Sequence, residues 1–127
     1  CNANPDSFEC AIKVLEGTAA DGKKFVAAGS MLELGDRAPG LHEKIGQAIA
    51  ARDIDILITV GRLAEFIAKG ALAAGMGRDR VFRAENSEAA AGVIRDLAGP
   101  SDVILIKGSR AAKMEGIIEC FTMSCSR

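Results

Sequence analysis

The chain contains no tryptophan and no tyrosine, and only five phenylalanines in 127 residues. A surface that stacks nucleic-acid bases needs aromatic faces beside a basic groove. Here 16 Lys and Arg are set against 17 Asp and Glu, for a formal net charge of -1, and the cations are scattered along the sequence. No nucleic-acid partner is expected. A membrane-length apolar run is missing as well: the longest, residues 54–60, is interrupted by Asp55 and falls far short of the ~20 residues that a bilayer demands. No charged-then-apolar signal segment opens the chain, so the expected location is the cytoplasm. Metal ligands are equally sparse. His42 is the single histidine, and the four cysteines at 1, 10, 120 and 125 show no CxxC spacing, so no metal site is expected in this chain. Cys10, on one helix with Ala11 and Val14, and Cys120 read as free thiols in or near the core.

A content of 49% hydrophobic and 26% charged residues suits one well-buried domain spanning residues 1–127. From residue 24 onward, short β-rich runs alternate with helical patterns, the order expected of parallel βα units. Strands are expected at 24–29, 54–60, 80–84 and 102–107. Helical stripes are formed by Phe8, Ile12 and Leu15; by Leu41, Ile45, Ala48 and Ile49; and by Leu63, Phe66, Ile67 and Ala71. Two more follow, Ala90, Val93, Ile94 and Leu97, then Met114, Ile117, Ile118 and Phe121. The runs Ile56-Leu57-Ile58 and Val103-Ile104-Leu105-Ile106 are apolar on both faces, which a sheet covered on both sides explains. The expected fold class is therefore α/β, a Rossmann-like, mostly parallel sheet with helices on both faces. A doubly wound domain usually opens with a strand, whereas this chain opens with a helix, so it is expected to be a piece of a larger protein. Residues 122–127 carry no pattern and are expected to fray.

The stretch GTAADGKK, residues 17–24, has P-loop spacing. A P-loop needs a hydroxyl after its lysine, a strand before and a helix after. Position 24 is lysine, and here the helix comes first and the strand second. The stretch reads instead as a helix exit and turn, with Gly17 or Gly22 expected in the left-handed conformation.

Ligands of open α/β sheets lie beyond the carboxyl ends of the strands. Four loops qualify: 29–35, 61–62, 85–87 and 107–110. In the last, Lys107 and Arg110 flank a Gly-Ser turn that opens a helix, where free N–H groups and the helix dipole favour a carboxylate or phosphate. The same residues also fit a helix capped by Ser109 with two solvated cations. Asn86 or Ser87 is expected to cap the next-to-last helix, with Glu88 in its first turn. Asn4 and Pro5 form a helix start of their own, which leaves the amide of Asn2 to read a donor–acceptor edge such as that of a base. His42 lies at the edge of the stripe of Leu41, Ile45 and Ile49, and reads as a packing residue, with Glu33 near enough in sequence to reach it or not. Glu115 is open between solvent and pairing with the 110–111 segment.

Several of these features occur together and in order: Asn2-Ala3-Asn4-Pro5-Asp6-Ser7, Gly29-Ser30-Met31-Leu32-Glu33-Leu34-Gly35, Leu41-His42 with Gly46, Thr59-Val60-Gly61, and Ile106-Lys107-Gly108-Ser109-Arg110 with Met114-Glu115. In this combination the chain resembles the C-terminal domain of the Mur ligases over residues 1 to about 121. Lys-Gly-Ser-Arg, where sister branches carry Lys-Gly-His-Glu, resembles the dipeptide-adding branch. Two positions depart from the family pattern, Cys1 where Tyr is usual and Ser30 where Asp is usual.

The resemblance implies an ATP-dependent amide-forming ligase of peptidoglycan precursor synthesis that adds D-alanyl-D-alanine to UDP-MurNAc-tripeptide. This domain would be the lid, inactive alone. ATP and Mg²⁺ would be held mainly by a central ATPase domain of the same chain. Asn2, Asn4 and Pro5 would meet the adenine and ribose. Lys107, Ser109 and Arg110 would face the acceptor or the transferring phosphate, with Arg110 orienting the acceptor carboxylate, and Glu33 and His42 would shape the acceptor pocket. The alternatives are the equivalent domain of another Mur or folylpolyglutamate-type ligase, or a non-catalytic α/β binding module. A receiver-type module would need clustered acidic residues that loops 29–31 and 61–62 do not supply.

Overall fold

The computed structural model describes residues 5–18, 21–32 and 34–108. Four strands form one parallel sheet: β1 (Lys24–Gly29), β2 (Ile56–Val60), β3 (Val81–Ala84) and β4 (Val103–Lys107). Among the described residues four α-helices accompany them: α1 (Pro5–Gly17), α2 (Ala38–Ala50), α3 (Glu65–Ala73) and α4 (Ser87–Leu97). The strand order is β3-β2-β1-β4. The chain therefore steps outward from β1 through β2 to β3, then returns across the sheet to place β4 on the other side of β1. That reversal puts a topological switch point between the carboxyl ends of β1 and β4.

The period of two along each strand divides the core into two layers. Val26 and Ala28 of β1 and Leu57 of β2 pack with Phe8, Ile12 and Leu15 of α1, Ile45 and Ile49 of α2, and Ile67 and Ala71 of α3. Phe25 and Ala27 of β1 and Ile56, Ile58 and Val60 of β2 join Ala84 and the Ala90, Ala91 and Ile94 stripe of α4. Helices thus cover both faces, as the sequence predicts. Full burial is confined to the inner part of the sheet. Val103-Ile104-Leu105-Ile106, apolar on both faces, is only half-buried, because β4 borders the described sheet on one side.

The glycines between α2 and α3 are demanded by close approach. A Cβ on Gly46 would lie 2.0 Å from the Ile67 carbonyl oxygen, and one on Gly70 would lie 2.1 Å from that of Glu43. Two backbones are in contact here, and only hydrogen fits at both positions.

Three expectations are corrected. Neither Gly17 nor Gly22 adopts a left-handed conformation; among the described residues the positive-φ glycines are Gly35, Gly61 and Gly75. The exit of α1 is closed by Thr18, whose N–H donates to the Leu15 carbonyl at 3.1 Å and whose hydroxyl donates to that of Val14 at 2.7 Å. Gly22 is required for space instead, since a Cβ would meet Asp102 Oδ1 at 2.1 Å. Cys10 is exposed and free, and Val14 is 71% exposed, because both lie off the buried stripe of α1. Finally, β2 begins at Ile56 rather than residue 54. Asp55 turns its carboxylate to accept the Lys24 N–H at 2.8 Å, pinning the start of β1.

Candidate functional site

The two ends of the sheet differ in how their backbone groups are used. At the amino end, carboxylates close the loops. Asp102 accepts the N–H of Lys23 at 2.7 Å and of Gly99 at 2.8 Å, with the Lys23 ammonium at 3.5 Å. Those bonds, that from Gly99 foremost, hold its carboxyl below its ordinary value. Glu16 takes the Asp53 N–H at 3.1 Å and the Arg52 guanidinium at 2.9 Å, and its carboxyl is lowered by the Asp53 bond first. This end is stitched for stability. The carboxyl end is where the loops leave space.

The loop after β1 is held in place from behind. The Met31 N–H donates to His42 Nε2 at 3.0 Å, so Nε2 is the unprotonated nitrogen and Nδ1 carries the hydrogen, which it donates to the Ala38 carbonyl at 2.6 Å. His42 is fully buried and burial pushes its pKa below 6.5, so the neutral ring that the hydrogen bonds require is also the form that burial favours. It is a packing residue that fixes a loop. One residue earlier, Ser30 is buried and its hydroxyl accepts the Ala64 N–H at 3.2 Å, tying the β1 loop to the amino end of α3. The chain turns beneath it at Gly61, whose φ of 98° is open to glycine, and where a Cβ would stand 2.8 Å from Ser30 Oγ.

Lys107 ends β4 and pairs in register with Ala28 of β1, so it borders the switch point and is half-buried. Pro5 opens α1. Asn2, Asn4, Glu33, Ser109 and Arg110 lie outside the described residues, as do the expected last helix with Glu115 and Cys120, and the tail 122–127. Asn86 caps α4 as predicted, its side-chain oxygen accepting the Ala89 N–H at 2.9 Å.

Sequence reasoning passed over a cleft beyond the carboxyl ends of β2 and β3. It is lined by Gly61, Arg62, Glu65, Arg83, Ala84 and Glu85 and holds about 380 Å³. It continues along the side of α3, where Phe66 and Lys69 join Arg62, Glu65 and Arg83 around a further 550 Å³ or so. Lys69 leans toward Glu43 at 4.0 Å and lies 6.0 Å from the centre of the Phe66 ring. Among the described residues no ion pair engages Arg62 or Arg83. The signal available in the sequence was the cation Arg83 near the end of an otherwise apolar strand. Nothing in the sequence placed it beside Arg62.

Among the described residues no group of three or more His, Cys, Asp or Glu side chains is placed to hold a metal ion, and no helix is long and apolar enough to cross a membrane. The cleft, lined by cations and carboxylates, is the candidate small-ligand site of the carboxyl end.

Similarity to known proteins follows the same lines. Residues 1–110 match the family described as Mur ligase, glutamate ligase domain. The chain is 37% identical over 118 residues to the UDP-N-acetylmuramoyl-tripeptide–D-alanyl-D-alanine ligase of Bacillus subtilis, covering 93% of this chain and 26% of that protein. It is 30% identical over 135 residues to the ligase of the same name from Mycobacterium tuberculosis, with coverages of 93% and 26%. Among solved structures it is similar to MurF from Acinetobacter baumannii (TM-score 0.81, 28% identity, 93% of this chain and 26% of that one). It is similar also to the MurF ligase of Thermotoga maritima, solved in complex with ADP (TM-score 0.74, 28% identity, 94% and 26%). The chain spans about a quarter of the length of these relatives. With the sheet order, the ordered loops and the family match in agreement, the chain belongs to the Mur ligase family, whose C-terminal, glutamate ligase domain it carries.

Proposed function

We propose that this chain is the C-terminal lid of an ATP-dependent ligase that joins D-alanyl-D-alanine to UDP-MurNAc-tripeptide in peptidoglycan precursor synthesis, in the cytoplasm. The observation that carries this reading is the 37% identity across 93% of the chain with the Bacillus subtilis ligase of that specificity. In the reaction, a carboxylate oxygen of the tripeptide attacks the γ-phosphorus of ATP and ADP leaves. The dipeptide amine then attacks the acyl carbon of the resulting acyl phosphate, the tetrahedral adduct expels phosphate, and the amine gives up a proton to leave an amide. An acyl phosphate exposed to water is lost to hydrolysis, so the ligase gains from a domain that closes over it.

In this reading the ATP phosphates and Mg²⁺ belong to a central ATPase domain of the same protein. This domain adds Asn2, Asn4 and Pro5 on the adenine and ribose side. Lys107, Ser109 and Arg110 face the acceptor or the transferring phosphate, with Arg110 orienting the acceptor carboxylate. Glu33 and His42 shape the acceptor pocket, His42 indirectly through the Met31 backbone. Residues 1–127 act as one domain.

The test is phosphate release by the full-length protein. Release is expected only when ATP, UDP-MurNAc-tripeptide and D-alanyl-D-alanine are all present, with an amide-linked pentapeptide product by mass. Turnover of the tripeptide with a single amino acid in place of the dipeptide, and none with the dipeptide, would overturn the reading in favour of a sister ligase.

A further inference from the structure

Ser30 is the first residue after β1, and it holds the turn that follows β2 from both sides. Its N–H donates to the Val60 carbonyl at 3.3 Å, and its hydroxyl oxygen accepts the Ala64 N–H at 3.2 Å. Residues 61–63 lie between those two bonds, so a single buried residue closes the turn at both of its ends. Gly61 marks how near the two segments come, since a Cβ there would stand 2.8 Å from Ser30 Oγ. The start of α3 depends on the same contact. Its N-cap position is Ala64, which has no side-chain oxygen to offer, and the acceptor comes from Ser30 in a different loop.

Ser30 is itself held in place. The N–H of its neighbour Met31 donates to the buried His42 ring at 3.0 Å, and beyond the turn the Gly61 N–H donates to the Ala84 carbonyl at 3.1 Å. These bonds run in series from α2 through the β1 loop and the Gly61 turn to the end of β3. The link from the β1 loop to α3 is made by the Ser30 hydroxyl, so a substitution there cuts the series and leaves its backbone bonds intact. Cutting it lets residues 61–63 move independently of the β1 loop. A ligand held by both segments must then order them against each other as it binds, which weakens its affinity.

We propose that Ser30 is a positioning residue for the acceptor: its hydroxyl locks the loop after β1 and the turn after β2 into one wall, so that each is placed by the other. The inference rests on the ligase reading above, in which the β1 loop shapes the acceptor pocket. Ser30 acts through the backbone of the two loops and touches no reacting atom.

The experiment measures initial rates of the full-length ligase with ATP, UDP-MurNAc-tripeptide and D-alanyl-D-alanine varied in turn. Ser30→Ala lacks the acceptor oxygen, Ser30→Cys keeps the shape with a weak acceptor, and Ser30→Asp supplies a strong one. In the Ala and Cys variants the KM for D-alanyl-D-alanine is expected to rise about three- to tenfold, the equivalent of one net hydrogen bond. The KM values for ATP and for the tripeptide stay within about twofold of wild type. Ser30→Asp brings the dipeptide KM back to within about twofold. A purely structural role would lower the melting temperature and leave all three KM values alone, and that result overturns the proposal. A rise shared equally by the three substrates overturns it too, as does a dipeptide KM that Ser30→Asp does not restore; in each of these cases the ligase reading stands. A wild-type enzyme that forms no pentapeptide from the dipeptide overturns both.

Discussion

His42 Nε2 accepts the backbone N–H of Met31 at 3.0 Å, joining a fully buried side chain of α2 to the loop that leaves β1. The donor is buried, so no water stands ready to replace the imidazole. His42→Ala would orphan that N–H and open a cavity, at a cost of about 2–4 kcal/mol. Chemical denaturation of the domain is the measurement, and an unchanged midpoint would show that the loop is held by other contacts.

The same bond sets a pH response. Burial lowers the His42 pKa from its ordinary 6.5, so below pH 6.5 the unfolded chain takes up a proton that the folded chain resists. Stability is fully present above pH 6.5 and is lost as pH falls through the lowered folded value. Asp102 and Glu16 are also lowered, from ordinary values of 3.8 and 4.5, so their contributions persist to more acid conditions and are lost in a second, lower window. Denaturant midpoints measured from pH 8 to pH 3 should show the two windows separately, and His42→Leu should remove the upper one only.

Gly46 and Gly70 face one another's helices across backbone rather than side chains. Gly46→Ala or Gly70→Ala must push α2 away from α3, because a carbonyl cannot swing aside as a side-chain tip can. The expected loss is about 3 kcal/mol or more for either. A variant that melts within a degree or two of the parent would mean that the helices separate at little cost.

Ser30→Ala removes the acceptor for the Ala64 N–H and unties the β1 loop from α3. Loss of such a cap costs about 1 kcal/mol. Hydrogen exchange at Ala64 reports the bond directly, and its rate should rise more than the global loss of stability accounts for.

Thr59 presents the opposite case. Its hydroxyl, fully buried on β2, has no hydrogen-bond partner among the described residues. Thr59→Val keeps the shape and removes the unpaired polar atom, and should raise stability by about 1 kcal/mol. A loss of stability would point to a bound water that the hydroxyl holds.

Much of this could be read from local patterns. The four strands fell within two residues of their expected limits, since apolar period and turn residues are short-range signals. Asn86 was legible as a cap for the same reason. Cys10 was misplaced because a helical stripe names the buried face only once its phase is known, and Phe8, Ile12 and Leu15 set that phase against it.

By itself the sequence determined the parallel α/β class, the layers of helix and strand, and, through several loops in register, the family. The tertiary structure decided the order β3-β2-β1-β4, the pairing of Lys107 with Ala28, and the meeting of Arg62 with Arg83 in one cleft. The physical reason is range. Which face a residue occupies follows from a repeat of two or 3.6 residues, whereas parallel apolar strands are interchangeable by pattern, and their neighbours are chosen only when the whole core packs.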